Sequence, residues 1–191
     1  GETVEVGTAN ELAVVLDVLQ GQHDRAVLGQ LGPHLADIVT TPLGLYSVLK
    51  ALAPADQVYL VTALGPHLAH TIGSASHLRD ILAMLSSVEV EEALLQTLGA
   101  QGLGQLVVNA QELAEVLEWV YGDCDGLVLA LVGVERLRAM LATGHDLSLV
   151  LHCLDGRRQM ELIEKLGWAW VAGRPTNARD LAYLLRALPA A

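Results

Sequence analysis

Histidine stands twice in the same setting in this chain. "LGPHLADIV" (residues 31–39) returns 33 residues later as "LGPHLAHTI" (64–72), so His34 and His67 share a context and His70 follows one turn on. Imidazoles in a repeated context invite a metal reading, because neutral imidazole is a common ligand of zinc and copper. If the two segments are stacked neighbours, His34 and His67 lie on the order of 10 Å apart, the spacing of packed helices. Bonds to a metal are about 2 Å long. His67 and His70 can share a helix face, but two ligands without a third make a weak site. The histidines therefore read as parts of a joint between units, and no metal or cofactor is expected.

The remaining candidates are thiols, glycines and carboxylates. His152 precedes Cys153 directly, and Cys124 is the only other cysteine. A Cys–His pair is a starting point for nucleophilic catalysis, yet adjacent residues of a helix point about 100° apart. The thiols read as free and half-buried, and no catalytic residue is expected. Gly99, Gly102 and Gly104 make a glycine-rich run, but it follows no strand and so does not resemble a phosphate-binding loop. Helix capping and a turn account for it. The carboxylates at Glu89, Glu91 and Glu92, and at Glu112, Glu115 and Glu118, read as solvated helix faces rather than acid–base pairs.

The elements that would carry these residues repeat. Leu12, Leu45, Leu78, Leu113, Leu147 and Leu181 recur at steps of 33 to 35 residues. Each is followed at +4 by leucine, at +3 by valine, isoleucine or leucine, and at +7 by leucine or valine. Apolar positions at 0, +3, +4 and +7 form the buried stripe of an amphipathic helix. Four residues before each anchor stand Thr8, Thr41, Ser74, Asn109, Thr143 and Asn177, all side chains that cap a helix N-terminus. Glu11 and Glu112 suit a capping box, and Asp146 and Asp180 suit the positive helix end. This element, helix A, is expected to run about twelve residues.

A second helix, B, is expected to end at Leu31-Gly32, Leu64-Gly65, Leu98-Gly99, Val132-Gly133 and Leu166-Gly167, with each glycine as a left-handed C-cap. A short third segment of one or two turns then leads to the next cap. Small insertions near "GAQGLGQL" and "GVERLRAM" are expected to fall in turns. The units are approximately 8–40, 41–73, 74–108, 109–142 and 143–176, with a half unit at 177–191. The expected fold is all-α: a single solenoid domain of about five helical repeats plus a C-terminal helix.

The composition fits. The chain is 52% hydrophobic but 4% aromatic, without phenylalanine, so Leu, Ala and Val must build the core. A net charge of −11 argues against nucleic acid and anionic membrane as partners. No apolar run approaches the roughly 18 residues that span a bilayer, and "GETVEVGT" shows no signal-peptide pattern.

The unit, [TSN]-x-x-[ED]-L-x-x-[VI]-L-x-x-L followed by a helix ending in Leu-Gly, resembles the α-helical repeats of some secreted effectors of intracellular bacteria such as Legionella and its relatives. The resemblance covers nearly the whole chain and concerns architecture. It implies a stacked helical repeat and, for localisation beside the cytoplasmic alternative, delivery by a secretion system; the functions of such proteins are too diverse to imply one here.

Positions that the repeat leaves free are the informative ones. On helix A the offsets +2 and +5 carry Val14 and Asp17, Ser47 and Lys50, Asp80 and Ala83, Glu115 and Glu118, Leu149 and His152, Tyr183 and Arg186. A constant stripe beside a varied strip is how a solenoid presents a binding face. Trp119 and Tyr121, and Trp168 with Trp170, add aromatic anchors of the kind enriched in interfaces. The expected partner-binding residues are Asp17, Lys50, Asp80, Glu115, Glu118, Trp119, His152, Tyr183 and Arg186. The function expected is non-catalytic binding of a protein or peptide, basic or amphipathic, along this strip. The alternative is a homo-oligomer assembling through exposed repeat ends, and an enzyme on this scaffold is third.

Overall fold

The computed structural model describes residues 6–19, 21 and 23–188, and among them all regular structure is helical. The chain runs through α1 (Ala9–Leu19), α2 (Asp24–Leu31), a 3-10 turn at Gly32–His34 and α3 (Leu35–Ile38). It continues with α4 (Pro42–Ala51), α5 (Pro54–Leu64), a second 3-10 turn at Gly65–His67 and α6 (Leu68–Ile72). Then come α7 (Ala75–Met84), α8 (Val88–Leu106, broken at Gly99), α9 (Ala110–Leu117), α10 (Cys124–Val132) and α11 (Val134–Met140). The last are α12 (Gly144–His152), α13 (Gly156–Leu166), α14 (Trp168–Ala172) and α15 (Ala178–Ala187).

All six expected caps form, and they do so because a short side-chain oxygen can reach the N–H three residues on. The oxygens of Thr8, Thr41, Ser74, Asn109, Thr143 and Asn177 accept from Glu11, Gly44, His77, Glu112, Asp146 and Asp180 at 2.9–3.3 Å. Glu11 closes the expected capping box on the Thr8 N–H at 3.1 Å, while the other acidic partners differ from expectation in reach. Asp146 closes a full capping box on the Thr143 N–H at 3.0 Å, whereas Glu112 reaches past its cap to the Val108 N–H at 2.8 Å. Asp180 does more than sit at a positive helix end. It accepts from the Thr176 N–H and hydroxyl and, across 35 residues, from the His145 N–H at 3.0 Å.

Helix A is shorter than the stripe that marks it. Its copies hold eight to eleven residues, and the +7 position falls beyond the helix end in five of the six. Leu52, Leu85 and Leu188 adopt extended backbone there, and Leu52 and Leu85 still drop into the core. Burial of the side chain, not helix propagation, holds that residue in register.

The glycines ending helix B depart from a left-handed cap in a consistent way. Gly65, Gly99, Gly133 and Gly167 have φ of 49°, 57°, 78° and 86°, but their ψ values of −127°, −171°, 152° and 129° lie outside the left-handed helical region. The chain turns straight into the next helix at these points, which only a residue without a β-carbon does cheaply. Gly32 is the exception, with φ of 4°. The insertions expected in turns lie in helices: residues 100–106 continue α8 and residues 134–140 form α11, both longer than α3 or α6. Gly102 and Gly104 are helical and serve close approach. A β-carbon on Gly102 would stand 3.2 Å from that of Ala69, and one on Gly104 would strike Arg136, which donates to the Gly104 carbonyl and, at 3.0 Å, to that of Val107.

Helices A pack on one another in chain order, α1 on α4, α4 on α7, α7 on α9, α9 on α12 and α12 on α15. The B helices follow, with α2 on α5, α5 on α8 and α8 on α10, while α3, α6 and α11 meet the B helix of the next unit. One apolar core runs from Ala9 to Ala187. The anchors Leu12, Leu45, Leu78, Leu113 and Leu147 are fully buried, whereas Leu181 and Leu185 on α15 are 45% and 61% exposed. No helix among the described residues is long and apolar enough to cross a membrane.

One recurring device has no hydrophobic signature. Gln57 and Gln159 both stand twelve residues after their anchors and donate to the last carbonyls of the preceding helix A: Leu49 and Leu52 at 2.8 and 3.2 Å, Leu151 and Leu154 at 2.8 and 3.0 Å. These bonds satisfy acceptors that a helix end leaves without a partner. Allowing for the one-residue-longer third unit, the same position carries Asp24, Glu91 and Asp125 elsewhere. Glu91 is fully buried, accepts from the Tyr121 N–H at 3.0 Å, and leaves its other oxygen without a hydrogen bond of ordinary geometry.

Candidate interaction surface

The helix-A strip is built by the caps and stripes just described, since these fix the rotation of each helix and turn its +2 and +5 positions outward. Val14, Asp17, Lys50, Asp80, Ala83, Glu118, His152 and Arg186 are exposed, and Ser47, Glu115, Leu149 and Tyr183 are half-buried. Neighbouring helices bring parts of the strip together. Val14 and Asp17 of α1 border one shallow groove with Ser47 and Lys50 of α4.

A larger groove of about 620 Å³ lies between α4 and α7, within the range of small-ligand and side-chain pockets. Pro42, Leu43, Tyr46 and Ile81 give it an apolar lining, with His77 and Asp80 as its polar groups. Leu43 is 71% exposed, unusual for a leucine in a chain that buries its stripe so fully. Sequence reasoning missed Leu43 because it stands on the strip's own face one turn before Ser47, ahead of the +2 and +5 offsets, and Tyr46 because it lies beside that strip. A leucine two residues before the anchor, outside the repeat pattern, is the signal that marks the place.

Charge gathers beside this groove. Asp80 holds Arg79 at 2.7 Å, and that bond, with the fields of Asp80, Glu115 and Glu118, pushes the guanidinium pKa further up. Gln111 donates to Glu115 at 3.2 Å, leaving its carboxylate on the same side. At the far end the strip changes character. The Tyr183 ring lies 5.3 Å from that of His145, and its hydroxyl accepts from Arg179 at 3.1 Å. Trp119 stands off the strip, in the turn after α9, with 38% of its surface open; Tyr121 and Trp168 are more exposed still. Trp170 packs against the core beneath Arg174, 4.5 Å from its guanidinium.

The residues weighed for chemistry are held apart. His152 Nδ1 contacts the Ser148 carbonyl at 2.6 Å, while the Cys153 thiol donates to the carbonyls of Ala114 and Leu149. Both thiols are raised by burial above all, Cys124 to about 11 with Glu91 and Glu92 adding to it, which leaves little thiolate at neutral pH. His34 and His67 occupy the two 3-10 turns and are exposed, not enclosed in a joint between units. Among the described residues no three His, Cys, Asp or Glu side chains lie close enough to hold a metal ion. Comparison with family models, curated proteins and solved structures finds no match to this chain.

Proposed function

We propose that the chain is a non-catalytic binding module. Five stacked units of 33–35 residues and a sixth helix A form a solenoid whose helix-A face holds a protein or peptide segment. The likeness to effector repeats is read as one of architecture. The observation that carries the reading is the α4–α7 groove, where exposed Leu43 with Tyr46 and Ile81 meets Asp80 on a strip continued by Glu115 and Glu118. Such a surface suits an amphipathic segment that seats an apolar side chain in the groove and basic side chains along the carboxylates.

A synthetic leucine–lysine amphipathic helix, followed by fluorescence anisotropy, tests this. The module binds it, and a scrambled peptide of equal charge binds at least about tenfold more weakly, because the scrambled chain offers no apolar face. Glu115→Lys with Glu118→Lys weakens binding, and so does added salt. Equal binding of both peptides, or indifference to charge reversal and salt, would sink the proposal.

A further inference from the structure

His77 is the odd residue among the helix-A caps. Three positions after the six caps stand Glu11, Gly44, His77, Glu112, Asp146 and Asp180, so an imidazole takes a place that carboxylates hold in most units. The carboxylates of Glu11 and Asp146 turn back to the N–H of their own cap residue. The His77 ring turns back as well, but onto a carbonyl: Nδ1 lies 3.1 Å from the Ile72 oxygen and 2.9 Å from the Ser74 hydroxyl. A carbonyl oxygen can only accept, so Nδ1 carries the hydrogen, and Nε2 of the neutral ring is left as a bare acceptor. Ser74 can give its own hydrogen to the Ser76 hydroxyl, 3.0 Å away, so the network is consistent.

That acceptor belongs to the α4–α7 groove. His77 is exposed and lines the groove with Leu43, Tyr46, Asp80 and Ile81, and its Nε2 makes no hydrogen bond among the described residues. Asp80 already holds Arg79 through two bonds to Oδ1, at 3.1 and 2.7 Å. The hydroxyls of Thr41 and Tyr46 can turn to donate or accept, so they impose no demand on an occupant. Nε2 does. A purely apolar side chain filling the groove would strip that nitrogen of solvent and return nothing, which is the costly case for a polar atom. A second cation would sit beside Arg79 and near the positive ends of α4 and α7, both unfavourable. The occupant that fits is neutral and largely apolar, with one donor.

We infer that the side chain seated in this groove is a tryptophan of the bound segment, its indole N–H donated to His77 Nε2. This rests on the binding function proposed above and names the residue that the groove selects. Indole donates and cannot accept, so it sets no lone pair against the Asp80 carboxylate. Its rings carry a large apolar surface for Leu43 and Ile81, and Tyr46 adds an aromatic neighbour. A groove of about 620 Å³ has room for it. Basic side chains of the same segment keep their place along Glu115 and Glu118, so His77 decides which segment docks and the carboxylates draw it in.

Fluorescence anisotropy with labelled variants of the leucine–lysine helix tests it. Each variant carries tryptophan in place of one leucine, and each is paired with a twin in which benzothienylalanine, the sulfur isostere without an N–H, replaces the tryptophan. At one position tryptophan binds about fivefold or more tightly than its sulfur twin, because only the indole satisfies Nε2. In His77→Phe the tryptophan peptide falls to the level of its twin, whose own affinity is kept and shows the groove intact. Leu43→Asp, at an exposed position, weakens both peptides. Circular dichroism checks that both protein variants stay folded. Equal binding of the twins at every position overturns the inference and leaves the binding function standing, provided the parent helix binds. So does an N–H preference that survives His77→Phe, or an arginine at the same position that binds more tightly than tryptophan. If no peptide of the series binds, the binding function falls and this inference falls with it.

Discussion

Glu91 occupies the position where Gln57 and Gln159 cap a helix A, and Glu91→Gln should make the protein more stable at neutral and alkaline pH. The carboxylate is fully buried with one oxygen lacking a hydrogen bond of ordinary geometry, and burial foremost raises its pKa above the ordinary 4.5, against the lowering effects of the Tyr121 N–H and then the Cys124 thiol. A raised folded-state pKa means that the folded chain holds the proton more tightly than the unfolded chain. The carboxyl's contribution is then fully present below pH 4.5 and is lost as pH rises through the folded value. Glutamine keeps an oxygen for the Tyr121 N–H and places an amide where its two counterparts donate, toward the carbonyls of Leu82 and Leu85. Relieving an unpaired buried group is worth about 1–3 kcal/mol, and exchanging a charged acceptor for a neutral one costs about 1 kcal/mol. The expected gain is about 1 kcal/mol at pH 8.5, or about 2–4 °C in Tm for a chain of this size, shrinking toward zero at pH 4. Urea denaturation followed by circular dichroism at both pH values measures it. A variant destabilised equally at pH 4 and pH 8.5 would refute the reasoning, because the carboxyl would then have no perturbed titration to remove.

Four further outcomes follow from individual residues. Cys124 and Cys153 should resist a thiol reagent at pH 8 in the folded protein and react promptly in denaturant, since burial raises both pKa values; fast labelling of the native chain would contradict this. Gly133→Ala and Gly167→Ala should each cost more than about 1 kcal/mol through their positive φ, whereas the same change at exposed Gly29, which has an ordinary φ and only the Tyr59 hydroxyl near its missing β-carbon, should cost less. Thr143→Ala should lose about 1 kcal/mol with its capping box, measurable by thermal melting. Asp180 is lowered below its ordinary 3.8, first by the Thr176 N–H, so its stabilising effect is present above that pH and is lost as pH falls further. The stability gap between wild type and Asp180→Asn should therefore close in acid below pH 3.8, and a gap that persists there would rule out the carboxylate as its source.

Much of the helical order was legible because burial and capping act on single, recognisable positions. Leu12 and its counterparts reveal the stripe, and Thr8 through Asn177 reveal where each helix begins. Where the helices end was harder to read, since Leu52 and Leu85 keep the apolar pattern in extended backbone. A hydrophobic period reports which way a side chain faces and says little about φ and ψ. The stretches 100–106 and 134–140 looked like turns because of their glycine and charge, yet Gly102 allows contact with Ala69 and Arg136 caps carbonyls of the preceding unit. Those contacts span about 30 residues, and no local pattern announces them. Among the strip residues, the outward direction of Asp17, Lys50, Asp80, Glu118, His152 and Arg186 follows from the stripe, but the groove at Leu43 and Tyr46 depends on how α4 and α7 lie together.

The central claim is that the units are interchangeable layers of one stack. Removing residues 143–176 and joining Ala142 to Asn177 tests it most directly, because Asn177, Asp180 and Leu181 then take the places of Thr143, Asp146 and Leu147. In a stack each unit depends mainly on its neighbours. The shortened chain should keep the same helix content per residue by circular dichroism and unfold cooperatively at a lower temperature. Loss of helix across the remaining units, or a chain that no longer unfolds cooperatively, would contradict the account.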